Sequence, residues 1–246
     1  MKAGKKAKKI LLAAVIVLGV LAGGSAWYVQ DYYHAENRAE ALEDSGNVKV
    51  LKTDTGYLYD GPGTDTGLIF YPGAKVEDLA YASLMRRLAE GGTDCFLVHM
   101  PCNLAIFGMD RADLVTEEFS YEKWYLAGHS LGGAMAASYA AKNSEKLEGL
   151  IFLAAYSTKD LSDTDLAVLS IYGSEDKVLN MDKIKTGRAL MPDSYEEFCI
   201  EGGNHAQYGD YGAQKGDGTA LISAEKQQEI AAEKIEEFMK DGENEG

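Results

Sequence analysis

Gly128-His129-Ser130-Leu131-Gly132 carries the strongest chemical signature in this chain. It fits G-x-S-x-G, the pattern of a serine held on a sharp strand-to-helix turn with its hydroxyl presented as a nucleophile. The flanking glycines have a steric reason, because the strained turn brings neighbouring backbone too close for a Cβ. The pattern is short, so its context matters: the apolar run Trp124–Ala127 reads as a strand leading in, and Gly132–Lys142 as an Ala-rich helix leading out. A serine hydroxyl is a weak nucleophile until a base takes its proton. Of the four histidines, His34 precedes the folded region, His99 lies in a predicted strand and His129 fills the variable position of the turn. That leaves His205, in Glu201-Gly202-Gly203-Asn204-His205, directly after the last predicted strand. The base needs a carboxylate to fix its tautomer and to stabilise the imidazolium. Asp176, in Tyr172-Gly173-Ser174-Glu175-Asp176, is placed for that, with Glu175 as its neighbouring competitor; Asp160, Asp163 and Asp165 read as surface acids. An oxyanion formed on attack needs two N–H donors. One is expected from the backbone of Leu131. The other is expected from Pro72-Gly73-Ala74-Lys75: Pro72 has no N–H, so Ala74 is the first choice and Gly73 the second.

The elements that must hold these residues alternate between strand and helix. Val48–Thr53 and Gly56–Asp60 read as a hairpin, and Leu68–Tyr71, Cys95–His99, Trp124–Ala127, Leu150–Ala155, Ala167–Tyr172 and Glu197–Ile200 as further strands. Helical patterns cover Leu79–Glu90, Asp110–Glu118, Gly132–Lys142 and Ser223–Lys240. Strands alternating with helices imply an α/β domain with a mostly parallel sheet and helices on both faces. The domain is expected over 48–240, after a linker region at 30–47, whose Ala- and Glu-rich Gln30–Asp44 reads as a short helix or linker, and before an acidic tail at 241–246.

Composition sets limits on function. With 46% hydrophobic and 26% charged residues the chain can bury a core. Lys2, Lys5, Lys6, Lys8 and Lys9 all precede residue 10, so the net charge of −15 leaves −20 on the remainder. A domain that acidic repels phosphate backbones, which argues against nucleic acid as a partner. The 20 residues Ile10–Val29 carry no charge. As a helix they span about 30 Å, the thickness of a bilayer's hydrocarbon core. Trp27 and Tyr28 sit at its end, and the preceding lysines keep the N-terminus cytoplasmic by the positive-inside rule. A transmembrane signal-anchor with an extracytoplasmic domain is therefore expected. The alternative is a signal peptide cleaved after Gly24-Ser25-Ala26, which would release a secreted protein. Cys95, Cys102 and Cys199 are too few for a disulfide framework, and Cys95 and Cys199, inside apolar runs, are expected to be buried. The scattered histidines make no metal site, and no phosphate-cradling glycine motif is present.

Tyr71-Pro72-Gly73-Ala74, Gly128-His129-Ser130-Leu131-Gly132-Gly133, Gly173-Ser174-Glu175-Asp176-Lys177-Val178, Gly203-Asn204-His205-Ala206 and Gly209-Asp210-Tyr211-Gly212 together resemble the α/β-hydrolases, in the dienelactone-hydrolase-like group known as "alpha/beta hydrolase fold-5" proteins. The resemblance covers roughly residues 48–240. It implies a serine hydrolase, without cofactor or metal, that cleaves a carboxylic ester or related acyl bond of a small or lipid-like substrate through an acyl-enzyme. The order Ser130, Asp176, His205 is the order that fold uses. Two departures stand out. Dienelactone hydrolases proper have a cysteine where this chain has Ser130, and many lipases have His-Gly where it has Pro72-Gly73. The short connection from Leu150–Ala155 to Ala167–Tyr172 leaves no room for a large cap. The loop Gln207–Thr219 either borders the acyl pocket or is a mobile surface loop. Two other functions fit the same residues: an acyltransferase using the same site, and an inactive surface-binding protein.

Overall fold

The structure is a computed structural model that describes residues 15–17, 19–20, 23–24, 28–63 and 65–244. Most of the expected membrane span, Ile10–Val29, lies outside the described residues. Among the described residues no helix is long and apolar enough to cross a membrane. The chain divides into two units, Met1–Tyr32 and Tyr33–Gly246. The second holds everything below.

Eight strands form one sheet: β1 (Lys49–Lys52), β2 (Gly56–Asp60), β3 (Thr66–Tyr71), β4 (Asp94–Val98), β5 (Lys123–His129), β6 (Gly149–Leu153), β7 (Ala167–Gly173) and β8 (Tyr195–Ile200). Their spatial order is β1-β2-β4-β3-β5-β6-β7-β8. Only β2 runs against its neighbours; β4-β3-β5-β6-β7-β8 are parallel throughout. Five helices matter for the site: α1 (Ala82–Glu90), α2 (Arg111–Glu118), α3 (Leu131–Ala140), α4 (Met181–Gly187) and α5 (Ala224–Asn244).

The central strands are buried on both faces, and successive side chains feed opposite cores. Leu68, Phe70, Leu97, Tyr125 and Ile151 pack beneath α1 and α5. Ile69, Tyr71, Phe96, Leu126 and Phe152 pack beneath α2 and α3. Each such large side chain taken out of water contributes about 1.5–3 kcal/mol, so these two layers dominate the stability of the sheet. The register puts Tyr71 opposite Gly128 and His129 opposite Leu153. The carboxyl ends of β3, β5 and β6 therefore finish level, forming the edge where ligands bind in open α/β sheets. The connection from β6 to β7, residues 154–166, contains no helix or strand.

Within the stretch read as a short helix or linker lies the helix Arg38–Ala41, and residues from Tyr33 onward pack on the domain: Tyr33 forms a parallel bridge with Val76, and Arg38 pairs with Glu77 at 2.5 Å. Two expectations change. Helix α4 has no counterpart among the helical patterns of the sequence. Cys199 is exposed rather than buried, because β8 is the sheet's edge strand and that residue points outward; Cys95 is buried and Cys102 exposed, and all three are free thiols.

Candidate active site

Strand β5 ends at His129 and α3 begins at Leu131, so Ser130 alone makes the turn. Its backbone sits at φ 52°, ψ −121°, a conformation that non-glycine residues avoid unless the surroundings impose it. The imposition is visible in the glycines. A Cβ on Gly132 would overlap the Tyr71 carbonyl oxygen, and one on Gly128 would lie 2.5 Å from the Gly133 nitrogen. The Ser130 N–H is fixed by the Leu153 carbonyl at 2.9 Å. Every other non-glycine residue with positive φ among the described residues (Lys75, Cys102, Asn103 and Ala154) also follows the carboxyl end of β3, β4 or β6. Backbone strain is concentrated on this one edge.

His205 follows β8 and is 1% exposed. Its Nδ1 lies 2.8 Å from Asp176 Oδ2. The other carboxylate oxygen, Oδ1, accepts the N–H groups of Val178 and Leu179, both at 2.8 Å. Asp176 is thus locked by backbone and aimed at the imidazole. As an acceptor it draws the ring proton to Nδ1 and leaves Nε2 with a lone pair. Glu175, the competing acid, forms no bond to His205; its carboxylate lies against the Ser174 hydroxyl. Three further groups hold the histidine loop. The Gln227 amide clamps the Asn204 backbone, accepting its N–H at 2.9 Å and donating to its carbonyl at 2.8 Å. Asp217 accepts the Ala206 N–H. His129 Nε2 lies 3.0 Å from the His205 carbonyl oxygen.

Ser130 and His205 line one open pocket of about 390 Å³. His205 Nε2 has no hydrogen-bond partner among the described residues, so no bond to Ser130 is made. Hydrogen bonds of this kind often close only around substrate. Leu131, Met135, Ala154, Val178 and Leu179 give the pocket apolar walls, and no Asp, Glu, Lys or Arg lines it. Tyr156, Thr158 and Asn180 supply its polar edge. Sequence reasoning missed these three; the cap signal at Asn180, whose side chain accepts the Asp182 and Lys183 N–H groups, would have pointed to α4 and its loop.

The two candidate oxyanion donors fare differently from Gly73. Leu131 is the first residue of α3, so its N–H has no acceptor within the helix. The loop after β3 lies against the start of α3, as the Tyr71 and Pro72 carbonyls around Gly132 attest. Within it the Gly73 N–H is spent on the Tyr81 hydroxyl at 3.1 Å. Ala74, the first-choice candidate, is the next residue of the same loop. Lys75 next to it is pinned from both sides: its N–H donates to the Asn103 carbonyl and its carbonyl accepts from Tyr33, each at 2.7 Å.

The other histidines have different surroundings. His129 is buried, and burial together with neighbouring His205 holds its imidazole well below the ordinary pKa. His99 pairs with Asp78 at 3.0 Å, a hydrogen bond that raises its pKa. The loop 207–219 borders a second cavity of about 460 Å³ rather than the Ser130 pocket. It is anchored by Asp210, which accepts from Ser83 at 2.5 Å and Gln228 at 2.9 Å. Among the described residues no cluster of His, Cys, Asp and Glu is placed to hold a metal ion.

Residues 67–229 match the profile of the alpha/beta hydrolase family. A protein of Mycobacterium phage D29, provisionally named a non-heme haloperoxidase, is 28% identical over 130 residues, covering 46% of this chain and 47% of that protein. The chain thus spans about half the length of this relative. The fold is similar to a dienelactone hydrolase from Anabaena variabilis (TM-score 0.59, 13% identity, 76% of this chain and 97% of that one). It is also similar to a carboxylesterase from Bacillus subtilis (TM-score 0.58, 10% identity, 83% and 95%) and to Est1E from Butyrivibrio proteoclasticus (TM-score 0.55, 15% identity, 80% and 98%).

Proposed function

The chain belongs to the alpha/beta hydrolase family, and from that premise we propose that it is a serine hydrolase cleaving carboxylic esters of uncharged, apolar acyl groups. The observation that carries this is the strained Ser130 opening into the same pocket as His205, whose far nitrogen is held by a backbone-locked Asp176. In the proposed reaction His205 Nε2 takes the Ser130 proton as Oγ attacks the ester carbonyl. The oxyanion is met by the Leu131 and Ala74 N–H groups, at the positive end of the α3 dipole. His205 then returns the proton to the leaving alkoxide, and water cleaves the acyl-enzyme by the same route. The carboxylesterase and dienelactone hydrolase among its structural relatives are in keeping with ester chemistry.

The pocket walls support the choice of acyl group. With no cation lining it, the pocket offers a substrate carboxylate no opposite charge to offset its lost hydration. A series of p-nitrophenyl esters tests this: butyrate or hexanoate should be turned over readily, and the equally long hemisuccinate at least about tenfold less well. Equal turnover of the charged and neutral esters would contradict the assignment.

The location is also proposed. Five lysines ahead of an uncharged stretch at 10–29 support a single-pass anchor with the domain outside the cytoplasm. External protease should then reach the domain in intact cells, and the membrane fraction should retain the chain. A mature N-terminus at Trp27 would instead identify a cleaved signal peptide.

A further inference from the structure

Tyr81, at the end of the turn leading into α1, and His129, beside the nucleophile, are both buried, at 0% and 1% exposure. Tyr81 Oη lies 2.7 Å from His129 Nδ1 and 3.1 Å from the Gly73 nitrogen. His129 Nε2 lies 3.0 Å from the His205 carbonyl oxygen. These contacts join three separate loops: the one after β3, the turn after β5 and the one after β8. We propose that Tyr81 and His129 are positioning residues, a buried hydrogen-bond relay that fixes the spacing between Ser130 and His205 and ties both to the oxyanion loop. The proposal rests on reading Ser130 and His205 as nucleophile and base.

The direction of every bond in the relay is determined. A carbonyl oxygen only accepts, so His129 Nε2 must carry a hydrogen and donate it to His205. A neutral imidazole then has a bare Nδ1, which can only accept; the Tyr81 hydroxyl donates to it. The Tyr81 oxygen in turn accepts the Gly73 N–H. The position of Gly73 demands glycine for this reason: a Cβ there would lie 2.7 Å from His129 Nδ1 and 2.9 Å from Tyr81 Oη. The order runs Gly73 N–H to Tyr81, Tyr81 O–H to His129, and His129 N–H to the His205 carbonyl.

The relay has a mechanical consequence. His129 is bonded covalently to Ser130, so its grip on the His205 carbonyl sets how far the nucleophile stands from the base. Asp176 orients the ring of His205, while His129 locates its backbone. There is also an electrostatic consequence. The rings of His129 and His205 are 4.7 Å apart. The other titratable groups facing His129 are phenols, Tyr81 and Tyr208, with ring centroids 5.6 Å away. Kept neutral, His129 does not repel the imidazolium that forms on His205 during the reaction.

The test uses the full chain as wild type, Tyr81→Phe, His129→Gln, His129→Asn and the double variant Tyr81→Phe/His129→Gln. Nitrogen-15 histidine spectra of the wild type should show His129 as the Nε2–H tautomer, unchanged from about pH 5 to 9. A His129 that titrates in that range, or is protonated on Nδ1, overturns the relay whether or not the protein is an active hydrolase. Turnover of p-nitrophenyl acetate is then measured per site titrated with a fluorophosphonate. The amide nitrogen of glutamine reaches where Nε2 sits; the shorter asparagine does not. His129→Asn should therefore lower kcat about 10- to 100-fold with KM within about threefold, and His129→Gln should recover most of that loss. Tyr81→Phe and His129→Gln break the same bond, so their double variant should be no worse than the worse single, within about threefold. A purely structural role would lower the melting temperature and leave kcat per titrated site untouched. A kcat within about twofold of wild type in His129→Asn, or multiplicative losses in the double variant, overturns the proposal. A wild type that shows the expected tautomer but takes no fluorophosphonate refutes the hydrolase reading instead.

Discussion

Asp176 divides its work between two oxygens, one bonded to two backbone N–H groups and one to His205. An asparagine at this position would keep the first arrangement but turn an N–H toward His205 Nδ1. The ring would answer by moving its proton to Nε2, where it can no longer accept one from Ser130. Asp176→Asn should thus lower kcat by about 10³- to 10⁴-fold while the melting temperature barely changes; a loss under tenfold would remove Asp176 from the proposed triad. His99 makes a second His–Asp pair whose effect is on stability. Its hydrogen bond to Asp78 raises the imidazole above its ordinary 6.5. A group whose folded pKa is raised contributes in full below the ordinary value and loses that contribution as pH rises through the folded value. The deficit in melting temperature of His99→Gln relative to wild type should accordingly be larger at about pH 6 than at about pH 9. Equal deficits would contradict the pairing. At this scale the sequence is legible where chemistry is local: Ser130 announces itself through its own glycines, and His205 and Asp176 through their place after strands. Tyr81, Gln227 and Asp217 are illegible, because their roles arise only when distant loops meet. For the same reason His129 reads in sequence as no more than the variable residue of the turn.

The elbow is an element under compression, and Gly132 marks where it is tightest. Adding a methyl against the Tyr71 carbonyl must push the β3 loop and the start of α3 apart. Overpacking at so rigid a contact costs about 2–3 kcal/mol or more. For a domain of this size that is a fall of about 4–12 °C in melting temperature. Because the same shift separates Ala74 from Leu131, Gly132→Ala should also lower kcat by more than its stability loss accounts for. Calorimetry and ester turnover on one preparation check both; a variant with wild-type kcat would mean that the β3 loop supplies no oxyanion donor. The opposite side of that loop is braced by Tyr33, through its bridge to Val76. The central strands are legible because burial on both faces makes them continuous apolar runs, and the long outer helices because burial of one face imposes period 3.6 on them. The brace at Tyr33 and helix α4 are not. The first works through backbone bonds that leave no side-chain pattern, and the second buries only Ile184.

On the scale of the molecule, one sheet separates two cores and gathers its strained residues on one edge, leaving the other surfaces free to carry a strongly acidic charge. The strand order also settles the cysteines. Cys95 on β4 and Cys199 on β8 are five strand spacings apart, about 24 Å at 4.8 Å each, far beyond a disulfide's reach. Titration with a thiol reagent should find Cys102 and Cys199 reacting quickly in the native protein and Cys95 only after denaturation. A Cys95–Cys199 disulfide mapped in denatured, unreduced protein would contradict this order. The misreading of Cys199 has a simple origin: Phe198-Cys199-Ile200 is apolar in sequence, and nothing local reveals that β8 closes the sheet and turns one face to water. The most direct test of the account as a whole is the mass of the intact protein after treatment with diisopropyl fluorophosphate. One adduct is expected, mapping to the peptide that contains Ser130 and absent from Ser130→Ala. A folded wild type that takes no adduct, or takes it on another residue, would contradict the assignment of Ser130 as the nucleophile.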